Sequence, residues 1–200
     1  MAEDRTRLLR ALKRERMHID PHALDASPLR VRRAFAHAWA PADLFLEQLD
    51  PWPSGLLRYW LATPAGHIVF STAPTAYLPQ GLPWFGGELP AVARIALADL
   101  IADPRPPLEV CAHLLDHLLG SQGREDAPWL SDGAGATGRL QALGQHIRRL
   151  ARLGYGPTEP HAYFAWALAG YWLDRQALNI ADPHIERLLR TTLCDERFWS

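Results

Sequence analysis

Two histidines four residues apart, His113 and His117, are the clearest residues in the chain whose type and spacing suit chemistry. On a helix that spacing stacks both imidazoles over one turn, where they can share a metal ion with Glu109 or Asp116. His146 and His161 are the candidates for a further ligand. The pattern permits a metal without diagnosing one. A zincin needs glutamate directly after the first histidine, where this chain has Leu114, and a di-iron carboxylate bundle needs Glu-x-x-His on two helices, which the chain does not supply. In projection Glu109, His113, Asp116 and His117 share the arc opposite Leu108, Cys111, Leu114, Leu115 and Leu118, so the plainer expectation is a solvated polar face.

Other catalytic strings fail on context. Gly133, Gly135 and Gly138 match G-x-G-x-x-G ahead of a helix, yet residues 125–132 are acidic, interrupted by Pro128 and unlike a strand; Thr137 reads as a helix N-cap instead. There is no Walker A string and no G-x-S-x-G elbow. Cys111 lies two residues from His113, and on a helix that offset points the two side chains apart. Cys194 sits beside Asp195 and Glu196, which disfavour a thiolate. No cofactor is expected, a divalent metal on the His113/His117 face being the exception.

Recognition chemistry has two further candidates. Residues 73–90 hold four prolines after residue 73, three glycines and three aromatics with no periodicity, which reads as a long loop; Tyr77, Trp84 and Phe85 are its binding candidates. The second is a cationic N-terminal region in which Arg7, Arg10, Arg14, Arg30 and Arg33 could meet an anionic partner such as nucleic acid. Residues 1–40 carry nine basic and five acidic residues, against four and eleven in 41–138 and eight and six in 139–200. The net charge is only −1, which equally suits complementation within one domain.

The elements that must position these residues are mostly helical. Leu8, Leu9 and Leu12 stripe a basic amphipathic helix over 3–17, and Ser27-Pro28 opens a helix to about Trp39, followed by one over 43–49. Residues 57–63 and 67–72 are rich in aromatic and β-branched residues, and Pro64-Ala65-Gly66 joins them as a hairpin. Helices are then expected over 91–102, 106–119, 138–153, 160–179 and 183–197. The helix from Pro160 is apolar on nearly every side, so it is read as the centre of a bundle.

The expected fold class is thus mainly α, a single domain over 1–200: basic helices in 3–49, an inserted β-hairpin at about 57–72 with its loop to residue 90, and a helical bundle over 91–200 around a central hydrophobic helix. Two hundred residues, 48% apolar and 22% charged, can bury a core without disulfides or structural metal. An acidic-then-basic start with no apolar run predicts no secretory leader, and prolines break the uncharged run 59–87, so a cytoplasmic protein with no membrane partner is expected. For function, the leading expectation is a non-enzymatic interaction or regulatory protein that self-associates, probing partners through Tyr77, Trp84 and Phe85. The alternatives are a metal-dependent enzyme or sensor and a nucleic-acid-binding protein.

Overall fold

A computed structural model describes residues 2–200. Among the described residues the chain forms ten α-helices and a small mixed sheet, so the mainly α expectation stands. No helix is long and apolar enough to cross a membrane among these residues.

The first helix, α1 (Ala2–Arg16), runs directly into β1 (Met17–Ile19), and after the short α2 (Leu29–Ala34) come α3 (Ala40–Leu49) and α4 (Ser54–Ala62). Next are the strands β2 (His67–Ser71), β3 (Ala76–Leu78), β4 (Leu82–Trp84), β5 (Gly87–Leu89) and β6 (Val92–Ala96). The remainder is helical: α5 (Leu97–Ala102), α6 (Arg105–Ser121), a 3-10 turn at Leu130–Asp132, α7 (Gly138–Ala151), α8 (Pro160–Leu173), α9 (Arg175–Ala181), α10 (Pro183–Thr191) and a last 3-10 turn, Glu196–Trp199.

The sheet order is β1-β2-β6-β3, with β2 parallel to both neighbours and β3 antiparallel to β6. All five residues of β2 are buried, as a parallel strand covered on both faces requires. This corrects the expected hairpin at 57–72. Leu57 to Ala62 are helical, because Leu56, Leu57 and Trp60 recur on one side of a turn and are fully buried there. The start of α4 is also fixed from far along the chain: the Glu196 carboxylate accepts the backbone N–H groups of Ser54 and Gly55, the latter at 3.2 Å.

Other expectations change as well: the helix read from Ser27-Pro28 to about Trp39 ends at Ala34, and the one read over 183–197 ends at Thr191. The helix expected over 91–102 is strand to Ala96 and helix only from Leu97. The aperiodic segment 73–90 holds three short strands, β4 and β5 pairing as a separate hairpin. The helix read over 160–179 breaks at Asp174, whose side chain accepts the Ala177 N–H and caps α9. The cap expected at Thr137 is present, accepting from Leu140, and α10 is capped likewise by Asp182, which accepts from His184 and Ile185.

One continuous apolar core runs from Leu12 to Leu193. Within it α6 and α8 form the most extensive helix pair, and α6 also meets β6, β3 and the 3-10 turn at Leu130–Asp132. That turn is held close by two glycines: a Cβ on Gly120 of α6 would lie 2.4 Å from Leu130 N and one on Gly144 of α7 2.2 Å from Leu130 O, while the loop after it closes on α7 at Gly135, where a Cβ would lie 2.1 Å from Gln141 N.

Candidate functional site

The residues singled out on α6 are brought together, but in a setting unlike a solvated face. Asp116 and His117 are both 0% exposed, because the sheet covers one arc of α6 while α8 and the Leu130–Asp132 turn cover another. The polar arc read from the sequence is therefore an interior polar network, and the expected solvated face is corrected.

Hydrogen bonds determine the state of His117. Its Nε2 lies 2.8 Å from the Arg124 carbonyl, which can only accept, so Nε2 carries the proton and Nδ1 accepts from the Tyr77 hydroxyl at 2.5 Å. The ring is neutral, and burial holds its pKa below the ordinary histidine value. Burial, aided by Asp116, pushes the Tyr77 phenol far above its usual range, so it stays protonated and can donate to His117 Nδ1. Tyr77 reaches α6 because β3 occupies the sheet edge and turns this side chain toward the helix, where it also stacks on His113.

Asp116 is the hub of the second half. Its Oδ1 accepts the Ser131 N–H at 2.8 Å and its Oδ2 the Ser131 hydroxyl at 2.6 Å, while His161 Nδ1 approaches Oδ2 at 3.3 Å and Ser131 Oγ at 2.8 Å. Burial raises the Asp116 pKa, and the bonds from His161 and Ser131 hold it part of the way back. For His161 burial opposes the charge, yet Asp116, Asp132 and Glu159 outweigh it and raise the pKa. Its Nε2 faces Asp132 at 3.6 Å and Glu159 at 3.8 Å, and its ring packs 4.2 Å from Trp129.

This arrangement limits the chemistry. Ser131 is fully buried and its hydroxyl is engaged by both Asp116 and His161, so it is not presented to a substrate as a nucleophile. Cys111 and Cys194 are free thiols whose pKa values burial raises, which disfavours the nucleophilic thiolate. Among the described residues no group of three or more His, Cys, Asp or Glu side chains is arranged to hold a metal ion. Glu109 pairs instead with Arg105, and both nitrogens of His117 are engaged. His146 lies on an exposed position of α7, whereas His161 joins the network.

Trp84 and Phe85 are placed elsewhere. They sit at the turn of the β4–β5 hairpin, with Trp84 edge-on to both Phe85 and His18, whereas the neighbours of Tyr77 are His113, His117 and Trp129. The 73–90 segment therefore does not present its three aromatics as one surface. Arg7, Arg10, Arg14, Arg30 and Arg33 are all exposed.

A histidine pair that sequence spacing does not signal lies under Trp84. His18 on β1 and His67 on β2 meet at 3.1 Å, Nε2 to Nδ1, since the parallel register lines up residues far apart in the chain. Burial, with the nearby charges of His18 and Arg16, lowers the His67 pKa to about 4. The unfolded chain, near 6.5, then binds the extra proton between pH 6.5 and 4, so this group's contribution to stability is full above that window and declines as pH falls through it. The expected loss is on the order of 3 kcal/mol. Denaturant midpoints at pH 7 and near pH 4 measure it, and His67→Gln should flatten the difference; an unchanged pH dependence in that variant would exclude His67 as its source.

Comparison of the chain with protein-family models, with curated proteins and with solved structures finds no match. The fold and its polar network define a mainly α protein with a small mixed sheet, and function must be argued from these residues themselves.

Proposed function

We propose that the protein is an interaction protein that self-associates through the tip of the β4–β5 hairpin. The observation that carries this reading is Phe85. It is 78% exposed, the most open of the large apolar side chains, and its φ of 41° lies in the left-handed region. With Gly86 at φ 82°, the two central residues have the positive φ of a tight hairpin turn that asparagine followed by glycine satisfies best. A phenylalanine here costs backbone strain and leaves most of its ring in water, with an edge-on contact to Trp84, so folding gains little from it.

A second copy is the favoured occupant because the hairpin is a sheet of two short strands with no further strand beside it among the described residues. Such a pair is marginal alone, and its open edges invite pairing with an identical hairpin across a two-fold axis. Pro83 lacks an N–H and makes β4 the poorer edge, which favours β5. Trp84 and Phe85 would supply the aromatic anchors typical of interface centres.

Phe85→Asn tests this directly. The variant should gain about 1 kcal/mol of stability by relieving the turn, and lose association in sedimentation velocity. A wild-type chain that remains monomeric at all concentrations, or a variant that associates equally well, excludes the reading.

A further inference from the structure

A second surface, which no hairpin residue lines, points to a different ligand. Arg10, Lys13 and Arg14 on α1 form one wall of an open cleft of about 490 Å³, and His37 and Trp39, just ahead of α3, form the other. Trp39 is 44% exposed, and the Lys13 ammonium lies 5.7 Å from the centre of its ring. We propose that this cleft binds single-stranded nucleic acid, one base stacking on Trp39 while the neighbouring phosphates meet Arg10, Lys13 and Arg14.

Charge accounting supports an anion and bounds its length. Lys13 is paired with Asp43 and Arg14 with Glu15, so each has a carboxylate to exchange for a phosphate, whereas Arg10 has no carboxylate partner among the described residues. Among the described residues no acidic side chain lines the cleft itself. The adjoining depression shares Arg10 and Lys13 but is bordered by Asp43, Glu47 and Asp50, so an anion is better matched on the Trp39 side. An exposed indole flanked by cations is the arrangement that grips a base and its backbone without reading sequence. A cleft this open suits a strand passing across it better than a small molecule enclosed by it. The basic face of α7, with Arg148, Arg149 and Arg152, is a weaker candidate because no aromatic platform lines it.

The test is fluorescence anisotropy of a labelled short oligothymidylate with the full chain, begun at low ionic strength and repeated over a salt series. Binding should weaken with salt with a logarithmic slope of about −2, three phosphate contacts at roughly 0.7 each. Trp39→Ala should weaken binding about tenfold and leave the slope unchanged, the signature of lost stacking. Arg10→Ala, at an exposed position, should lower both affinity and slope. No binding at low salt overturns the proposal, as does full affinity in Trp39→Ala. Displacement by thymidine monophosphate at matched nucleotide concentration would assign the cleft to a mononucleotide, and equal capture of polyglutamate would assign it to acidic protein; either result also overturns it. None of these readouts depends on Phe85, so this site and the hairpin tip stand or fall separately.

Discussion

Asp116→Ala should cost the protein roughly 3–5 kcal/mol, the loss typical of removing one member of a buried, hydrogen-bonded charge pair. The substitution strands the Ser131 N–H and the Ser131 hydroxyl, and leaves the His161 Nδ1–H only the Ser131 Oγ, 2.8 Å away, as acceptor. The first two are fully buried and cannot turn to water. Asp116→Asn separates charge from hydrogen bonding. It can still accept from the Ser131 backbone, but its amide group confronts donors where the carboxylate met them, so an intermediate loss is expected. In both variants the His161 pKa should fall, since Asp116 is the principal group raising it. The raised pKa means that charged His161 stabilises the fold at low pH, and that this contribution disappears as pH rises through its folded pKa. Denaturant unfolding with a histidine titration by NMR reads both effects. A loss below about 1 kcal/mol, the worth of one ordinary hydrogen bond, would show that the network is incidental to stability.

The second large effect is expected at Gly144. Alanine is the better helix former by about 1 kcal/mol, so an exposed helical glycine should gain from the change. At Gly144 the added Cβ would sit 2.2 Å from the Leu130 carbonyl oxygen and 2.6 Å from that of Ala134, both backbone atoms. The turn must move, and with it Ser131 and its bonds to Asp116. A net loss of about 2–3 kcal/mol is expected, within the usual cost of overpacking. Gly138, at the start of the same helix, has nothing within 4 Å of such a Cβ and serves as the control. If Gly144→Ala is as stable as Gly138→Ala, the turn is not clasped as described.

Helices with a single apolar stripe and a polar N-cap could be read directly. Leu140, Leu143, Ile147 and Leu150 on α7, and Asp182 ahead of α10, declare themselves by period and by residue type. The errors arose where local preference and tertiary burial disagree. The Leu-Arg-Tyr-Trp run of α4 carries strand-forming aromatics, but its cap comes from Glu196 and its buried face from the core. Alanines in β6 suggest a helix, yet the strand is held between β2 and β3, a placement no local window contains. The α6 histidines were recognisable as a group, but their burial was not, because the covering turn and strand come from elsewhere in the chain. Ser131 and Trp129 carry no signal of their own, and the His18–His67 contact exists only through the parallel register.

That register also governs how the chain must assemble. β2 is central, and its partners are Met17 to Ile19 on one side and Val92 to Ala96 on the other. Neither pairing can be made by a tight turn, so the sheet closes only after long loops have been ordered without compensating contacts. Although most residues are helical, the slow step is this closure, and the chain should fold on the timescale of mixed α/β domains rather than that of helical bundles. Until it closes, the helices have no sheet to pack against, and the strand edges remain open to other chains.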